Sequence, residues 1–210
     1  SRLLSTLARE AGVAYGEALT GFKWVVRTAG PGQRFAFGYE EALGYCVGEL
    51  VGDKDGITAA LVAAELAAQL RANGSSLHER LDDLARAHGA HVTRQRSIRV
   101  NGGDWIARVT NAMAAVRADP PAALAGRAVV DVEDLARAGR FPVPADVLVW
   151  TLDGARAIVR PSGTEPKLKC YAEAVVPVEG HSVDAARRRA ATIVDQILDD
   201  VGARLGSVGL

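Results

Sequence analysis

An α/β first half followed by a small α+β second half is the fold class this sequence predicts, and three observations carry that reading. A strand pattern followed by two consecutive helical patterns occupies the first hundred residues. Asn101-Gly102-Gly103 then interrupts the chain near its middle. Beyond it, four extended patterns lie between an opening helix and a closing one, the order of a small antiparallel sheet with one covered face. The expected units are therefore 1–100 and 101–210.

Each element has a local reason. Leu3, Leu4, Leu7 and Ala8 recur at helical spacing, with Gly12 as the stop. Val13 to Leu19 has the make-up of a short strand, and Arg34 to Tyr39 of another. Asp53 or Asp55 is suited to cap an Ala/Leu helix over 57–72, which ends at Asn73-Gly74. Ser75 or Ser76 opens a second helix over 77–87, stopped by Gly89. His91 to Val100 is extended. A helix over 104–118 ends at Pro120-Pro121. Strands are expected at 127–132, 147–152, 155–160 and 167–176, with Asp153-Gly154 as a two-residue hairpin signal. A last amphipathic helix spans 183–205, with Ala186, Ala190, Ile193, Ile197 and Val201 on one stripe.

The 210 residues carry 25 basic and 25 acidic side chains and no formal net charge, with 49% hydrophobic residues. That balance belongs to a folded globular chain and excludes bulk attraction to nucleic acid or anionic membrane. No apolar run approaches a membrane span and the first residues lack a signal-peptide shape, so the expectation is a cytoplasmic protein. Cys46 and Cys170 are too few for a disulfide framework and read as buried thiols in a reducing compartment. Only four of the basic residues are lysine, at 23, 54, 167 and 169. A compact ammonium does not substitute for a guanidinium fork, so these four draw notice.

The richest stretch is Arg160-Pro161-Ser162-Gly163-Thr164-Glu165-Pro166-Lys167-Leu168-Lys169. It joins two strand patterns yet holds more donors than a hairpin needs. Arg160 offers a bidentate fork to phosphate oxygens, and Ser162 and Thr164 add hydroxyls. Gly163 permits a backbone nest for an anion. Pro161 and Pro166 stiffen the shoulders, and Lys167 and Lys169, two apart on a strand, share a face. Each charge-assisted hydrogen bond contributes ~1.5–3 kcal/mol, enough in sum to hold a dianion.

RPSGTEPK (160–167) resembles the phosphate-binding loop in the last domain of the α-D-phosphohexomutases, the phosphoglucomutase/phosphomannomutase superfamily. TGFKW (20–24) resembles that family's sugar-specificity loop, GYEEALGY (38–45) its sugar-binding loop, and DKDG (53–56) the turn opening the next helix. The resemblance implies the third domain, with its sugar-binding loop, over 1–100. Over 101–210 it implies the fourth, a TBP-like four-stranded antiparallel sheet covered by helices.

A carboxylate such as Glu40 can accept from two adjacent sugar hydroxyls at once, whichever end of the sugar bears the phosphate. The resemblance assigns that part to Glu40 and places Ala42 where the family has a serine, which removes one hydroxyl partner. It implies sugar contacts for Gly21 and Lys23, and a catalytic electrostatic or acid–base part for Lys54. It gives phosphate binding to Arg160, Ser162, Gly163, Thr164, Lys167 and Lys169. Glu41 reads equally as a solvated charge or a neighbour for lysine, and Phe22 and Trp24 as packing.

No phosphoserine-type loop and no aspartate-rich metal loop occurs in these residues. The resemblance therefore implies the C-terminal half of a mutase that interconverts hexose 1-phosphate and hexose 6-phosphate through a phosphoserine and a bisphosphate. Mg²⁺ and a glucose 1,6-bisphosphate-type activator belong to the whole enzyme, and the Mg²⁺ ligands lie outside this chain. The partners are a hexose phosphate and the N-terminal half, with no nucleic acid and no membrane. This half, which holds no cofactor of its own, is expected to be inactive alone, and its last domain to rotate as a lid about 101–103. The competing class is a stand-alone, non-catalytic phosphosugar-binding or regulatory module. His88 and His91, separated by Gly89, lack a carboxylate to complete a metal pattern. His181 stands alone in a loop, and Asp82-Asp83 and Asp199-Asp200 read as solvated helix faces.

Overall fold

The computed structural model describes residues 1–137, 141, 143–180 and 182–210. Two compact units divide the chain, Ser1–His88 and Gly89–Leu210.

In the first unit the leucine spacing gives helix α1 (Leu3–Glu10), and Gly12 follows at φ +66°. Val13 to Leu19, expected as a strand, is irregular, and Val13 and Tyr15 are exposed. A strand needs a ladder partner, and among the described residues no strand pairing includes this segment. A short helix α2 (Phe22–Val25) precedes the antiparallel hairpin of β1 (Phe37–Glu40) and β2 (Gly44–Val47), in which Phe37 faces Val47 and Glu40 faces Gly44. The expected strand over 34–39 thus starts later and gains a partner that the sequence reading did not contain.

Of the two aspartates proposed as a cap, Asp55 does the work. Its Oδ1 accepts from the amides of Ile57 (3.0 Å) and Thr58 (3.2 Å), and its Oδ2 accepts from the Thr58 hydroxyl at 2.7 Å. These bonds, the hydroxyl's foremost, hold the Asp55 carboxyl below its usual range. Helix α3 (Gly56–Ala72) follows. Ser76 starts α4 (Leu77–His88) by accepting from the Glu79 amide at 3.2 Å.

The second unit is built on one sheet. Its strands are β3 (Ala90–Arg99), β4 (Ala123–Leu124), β5 (Arg127–Asp134), β6 (Leu148–Leu152), β7 (Ala155–Pro161) and β8 (Lys167–Val176). They lie in the order β3-β8-β7-β6-β5-β4 with every neighbouring pair antiparallel. The four expected strands are present, and β3 and the short β4 enlarge the sheet to six. Helices α5 (Trp105–Ala118) and α6 (Val183–Ser207) supply the rest of the core. Alternate residues of β8, Leu168 through Val176, and Trp150 of β6 are buried with Met113 of α5 and Ile197 of α6. Alanines 155, 157, 172 and 174 put small side chains on the buried face of the middle strands.

The division between the units differs from the expected 101–103. Strand β3 pairs with β8 along its whole length, from Ala90↔Val176 to Arg99↔Lys167, so residues 89–100 belong with the second unit. Asn101-Gly102-Gly103 merely connects β3 to α5, and the joint falls at His88–Gly89. Gly89 has φ +86°, and a Cβ there would stand 3.0 Å from Val175 Cγ1 and 3.2 Å from the Val176 carbonyl oxygen. Among the described residues, no helix is long and apolar enough to cross a membrane.

Candidate functional site

The segment between β7 and β8 is closed at its base by backbone bonds. The Ser162 amide donates to the Lys167 carbonyl at 2.9 Å, and the Lys167 amide to the Glu165 carbonyl at 2.7 Å. The Val100 amide donates to the Pro166 carbonyl at 2.9 Å, tying the loop to the end of β3. Ser162 is buried. Gly163 is outside the left-handed region and a Cβ on it would meet nothing within 4 Å, so its smallness answers to no contact within the chain.

Register then assembles the charges. Lys169 faces Arg160 across β7–β8, and Lys167 faces Arg99 across β3–β8. Cross-strand partners share a face and alternate residues return to it, so Arg99, Arg160, Lys167 and Lys169 lie on one side of the sheet. Leu168 and Cys170, on the opposite side, are in the core. Tyr171 fixes Arg160: the guanidinium donates to its hydroxyl at 3.2 Å and sits 5.7 Å from its ring centroid. Within the chain, Glu165 answers these cations, with Lys167 Nζ 2.7 Å from its Oε2. The hydrogen bond from Lys167, then the charges of Lys167, Lys169 and Arg99, hold the Glu165 carboxyl below its usual range. Arg99 escaped the sequence reading, because only the β3–β8 pairing brings it here from 68 positions upstream of Lys167.

In the first unit three short motifs converge on Phe22, which is 2% exposed. The Gly21 amide donates to Glu40 Oε1 at 2.5 Å. Lys54 Nζ lies 3.9 Å from Glu40 Oε2, 3.6 Å from Asp53 Oδ1 and 4.7 Å from the Phe22 ring centroid. Gly44 is required at this spot, since a Cβ would come within 2.7 Å of Phe22 Cε2 and 3.2 Å of Lys54 Cε. Gly38 likewise lets the hairpin settle on Val25, whose Cγ1 would be 2.6 Å from an added Cβ. Gly21, Glu40 and Lys54 therefore form one cluster.

Two expected members stand apart. Lys23 reaches over its neighbour Trp24, 5.2 Å from the ring centroid, and Ala42 is exposed in the hairpin turn. Glu41 pairs with the Ser1 amino group at 2.6 Å rather than with a lysine. Chemically, Glu40 has Oε1 committed to the Gly21 amide, and Oε2 keeps most of its accepting capacity. That differs from a carboxylate with both oxygens open to a diol.

The remaining sequence candidates find structural partners. His88 Nδ1 lies 3.3 Å from Glu10 Oε1, and His91 Nδ1 lies 3.3 Å from Glu173 Oε1, so the two histidines meet different carboxylates. Glu173, 2% exposed, also meets Arg156 Nε at 2.9 Å. Asp199 pairs with Arg96 (2.8 Å) and Asp200 accepts from the Ala125 amide (2.6 Å), both from exposed positions on α6. Asp83 pairs with Arg86 at 2.7 Å. Burial pushes the Cys170 thiol up to about 12, and burial followed by the charges of Asp55 and Asp53 raises Cys46. His181 lies outside the described residues. Among the described residues no group of three or more His, Cys, Asp or Glu side chains is placed to hold a metal ion.

A mixed α/β chain with a carboxylate–lysine cluster on a hairpin, followed by a helix-covered antiparallel sheet bearing a basic loop, defines the structural class. Comparison with solved structures agrees. The chain superposes on the open form of pp63/parafusin, a phosphoglucomutase from Paramecium, with a TM-score of 0.62 and 16% identity, covering 98% of this chain and 37% of that one. The family model for phosphoglucomutase/phosphomannomutase, alpha/beta/alpha domain III, matches residues 1–88, and the one for the C-terminal domain matches residues 107–196. A probable phosphomannomutase of Haemophilus influenzae is 40% identical over 176 residues, covering 83% of this chain and 34% of the relative. A phosphoglucomutase of Staphylococcus epidermidis is 33% identical over 183 residues, covering 80% and 34%. A probable phosphoribomutase of Schizosaccharomyces pombe is 28% identical over 216 residues, covering 94% and 36%. The chain belongs to the phosphohexomutase superfamily and carries its third and fourth domains. It spans about a third of the length of these curated relatives.

Proposed function

We propose that this chain supplies the sugar- and phosphate-binding part of a cytoplasmic phosphohexomutase, which interconverts hexose 1-phosphate and hexose 6-phosphate through a phosphoserine and a bisphosphate. The observation that carries the reading is the gathering of Arg99, Arg160, Lys167 and Lys169 on one sheet face beside the loop over 162–166. Arg160, the Ser162 and Thr164 hydroxyls and the backbone at Gly163 take the phosphate that does not react, while Lys167 and Lys169 add positive potential. Glu40 accepts from sugar hydroxyls through Oε2, and the Lys54 ammonium beside it supplies positive charge near the reacting end. Binding energy drawn from the non-reacting phosphate orients the other end of the sugar. The phosphoryl donor, the Mg²⁺ site and the response to a bisphosphate activator belong to the remaining two thirds of such an enzyme. Alone, the chain turns over no glucose 1-phosphate above background.

Calorimetric titration with glucose 6-phosphate tests the reading. Losing the Arg160 fork removes at least one charge-assisted bond of ~1.5–3 kcal/mol, so Arg160→Ala weakens affinity roughly ten- to a hundredfold while the circular dichroism spectrum stays unchanged. Equal affinity for both proteins contradicts the assignment.

A further inference from the structure

The basic face of the second unit sets like charges against each other. Lys169 stands opposite Arg160 and Lys167 opposite Arg99, two cationic cross-strand pairs on one side of the sheet. Like charges directly opposite destabilise a sheet, so the empty face is helped by any anion placed among them. Glu165 supplies one, with its Oε2 2.7 Å from Lys167 Nζ. The two sides of that contact are unequal. The Lys167 side chain is 17% exposed and that of Glu165 is 53% exposed. The backbone around them is tied by three bonds: Ser162 amide to Lys167 carbonyl, Lys167 amide to Glu165 carbonyl, and Val100 amide to Pro166 carbonyl. Rotation about the Glu165 side-chain bonds therefore takes the carboxylate into water without opening the loop. Arg160 is held by other means, the neutral hydroxyl and ring of Tyr171. A neutral partner leaves the guanidinium its charge and most of its donors. Arg160 thus stands ready for an anion, whereas Lys167 already has one.

We infer that Glu165 is a placeholder anion, which occupies Lys167 in the free chain and yields it to the phosphate of a bound sugar ester. The exchange is one of ion pairs only: lysine–carboxylate breaks, lysine–phosphate forms, and no covalent bond or proton is transferred. The face then holds a doubly charged anion in place of a singly charged one. Because the same contact steadies the empty face and opposes binding, whatever Glu165 adds to folding it removes from affinity. This inference rests on the reading above, that the loop over 160–169 binds phosphate, and adds how the unoccupied loop is kept in order.

The test combines calorimetric titration with glucose 6-phosphate and urea unfolding on the full 210-residue chain, Glu165→Gln, Lys167→Met and the double variant. Low salt is used, so that exposed charges are not screened. Glu165→Gln is expected to raise affinity about twofold when Lys167 is present and to leave it unchanged in the Lys167→Met background, a coupling that additive effects cannot produce. It is also expected to lower the folding equilibrium constant of the free chain by the same factor. That deficit disappears at saturating glucose 6-phosphate, where the chain and Glu165→Gln unfold alike. A carboxylate that merely repels the ligand gives an equal gain in both backgrounds on removal, and that result overturns the inference. An affinity that does not rise with Lys167 present overturns it too, as does a stability deficit that persists at saturation. In those cases the phosphate loop itself stands, provided that Arg160→Ala still weakens binding. An affinity unaltered by Arg160→Ala contradicts the loop assignment, and the placeholder role falls with it.

Discussion

The two units bury themselves very differently. In the first, the buried hydrophobic residues are Phe22, Cys46 and Ala85; in the second, a continuous core runs from Ala90 through Trp150 to Leu205. The second unit therefore has the layered burial of a self-sufficient domain, sheet on one side and α5 and α6 on the other. The first is organised locally instead, by the Asp55 cap, a hairpin seated on Phe22, and the cluster joining Glu40 to Lys54. One unit gathers its candidate residues on a sheet face; the other gathers them around a single aromatic ring.

Truncating the core separates the units most sharply. Trp150→Ala in the second unit removes a fully buried ring and costs about 3–5 kcal/mol in urea unfolding. Leu61→Ala, on the exposed side of α3, shifts the same curve by less than about 0.5 kcal/mol. Similar losses from both would mean that the first unit has a core of its own. Next comes the joint. Gly89→Ala forces a side chain into a left-handed residue already crowded by Val175 and Val176, and destabilises the second unit by about 1–2 kcal/mol in thermal unfolding.

Arg99→Ala examines the charge that β3 contributes. It weakens glucose 6-phosphate binding about fivefold, roughly 1 kcal/mol, with less effect as salt is raised. An unaltered titration would assign Arg99 to the sheet surface alone. The smallest effect concerns Glu165. Its carboxyl is lowered in the folded chain, so its pairing with Lys167 is complete above the ordinary carboxylate range and is lost as pH falls through the lowered value. Glu165→Gln abolishes the acid-range movement of the Lys167 side-chain resonances and raises sugar-phosphate affinity at neutral pH by about twofold, the scale of an exposed ion pair.

Legibility in the sequence followed the same contrast. Local signals were read correctly where they act locally: Asp153-Gly154 turns β6 into β7, and the stripe from Ala186 to Val201 is the buried side of α6. The loop over 160–169, proposed to bind phosphate, stands out in the sequence because its donors fall within ten consecutive residues. What depends on distant pairing was not. The extended pattern over 91–100 does not announce β8 as its partner, and so both the position of the joint and the presence of Arg99 were missed. Val13 to Leu19 failed in the opposite sense. Its composition suits a strand, and composition cannot supply the neighbour that a ladder requires.

The central claim is that the loop over 160–169 captures the phosphate of a sugar ester. Amide chemical-shift mapping of the full chain during titration with glucose 6-phosphate tests it most directly. The account predicts saturable shifts centred on Ser162, Gly163 and Thr164, absent in Arg160→Ala. Saturable shifts confined to other segments, with those three amides unmoved, would contradict it.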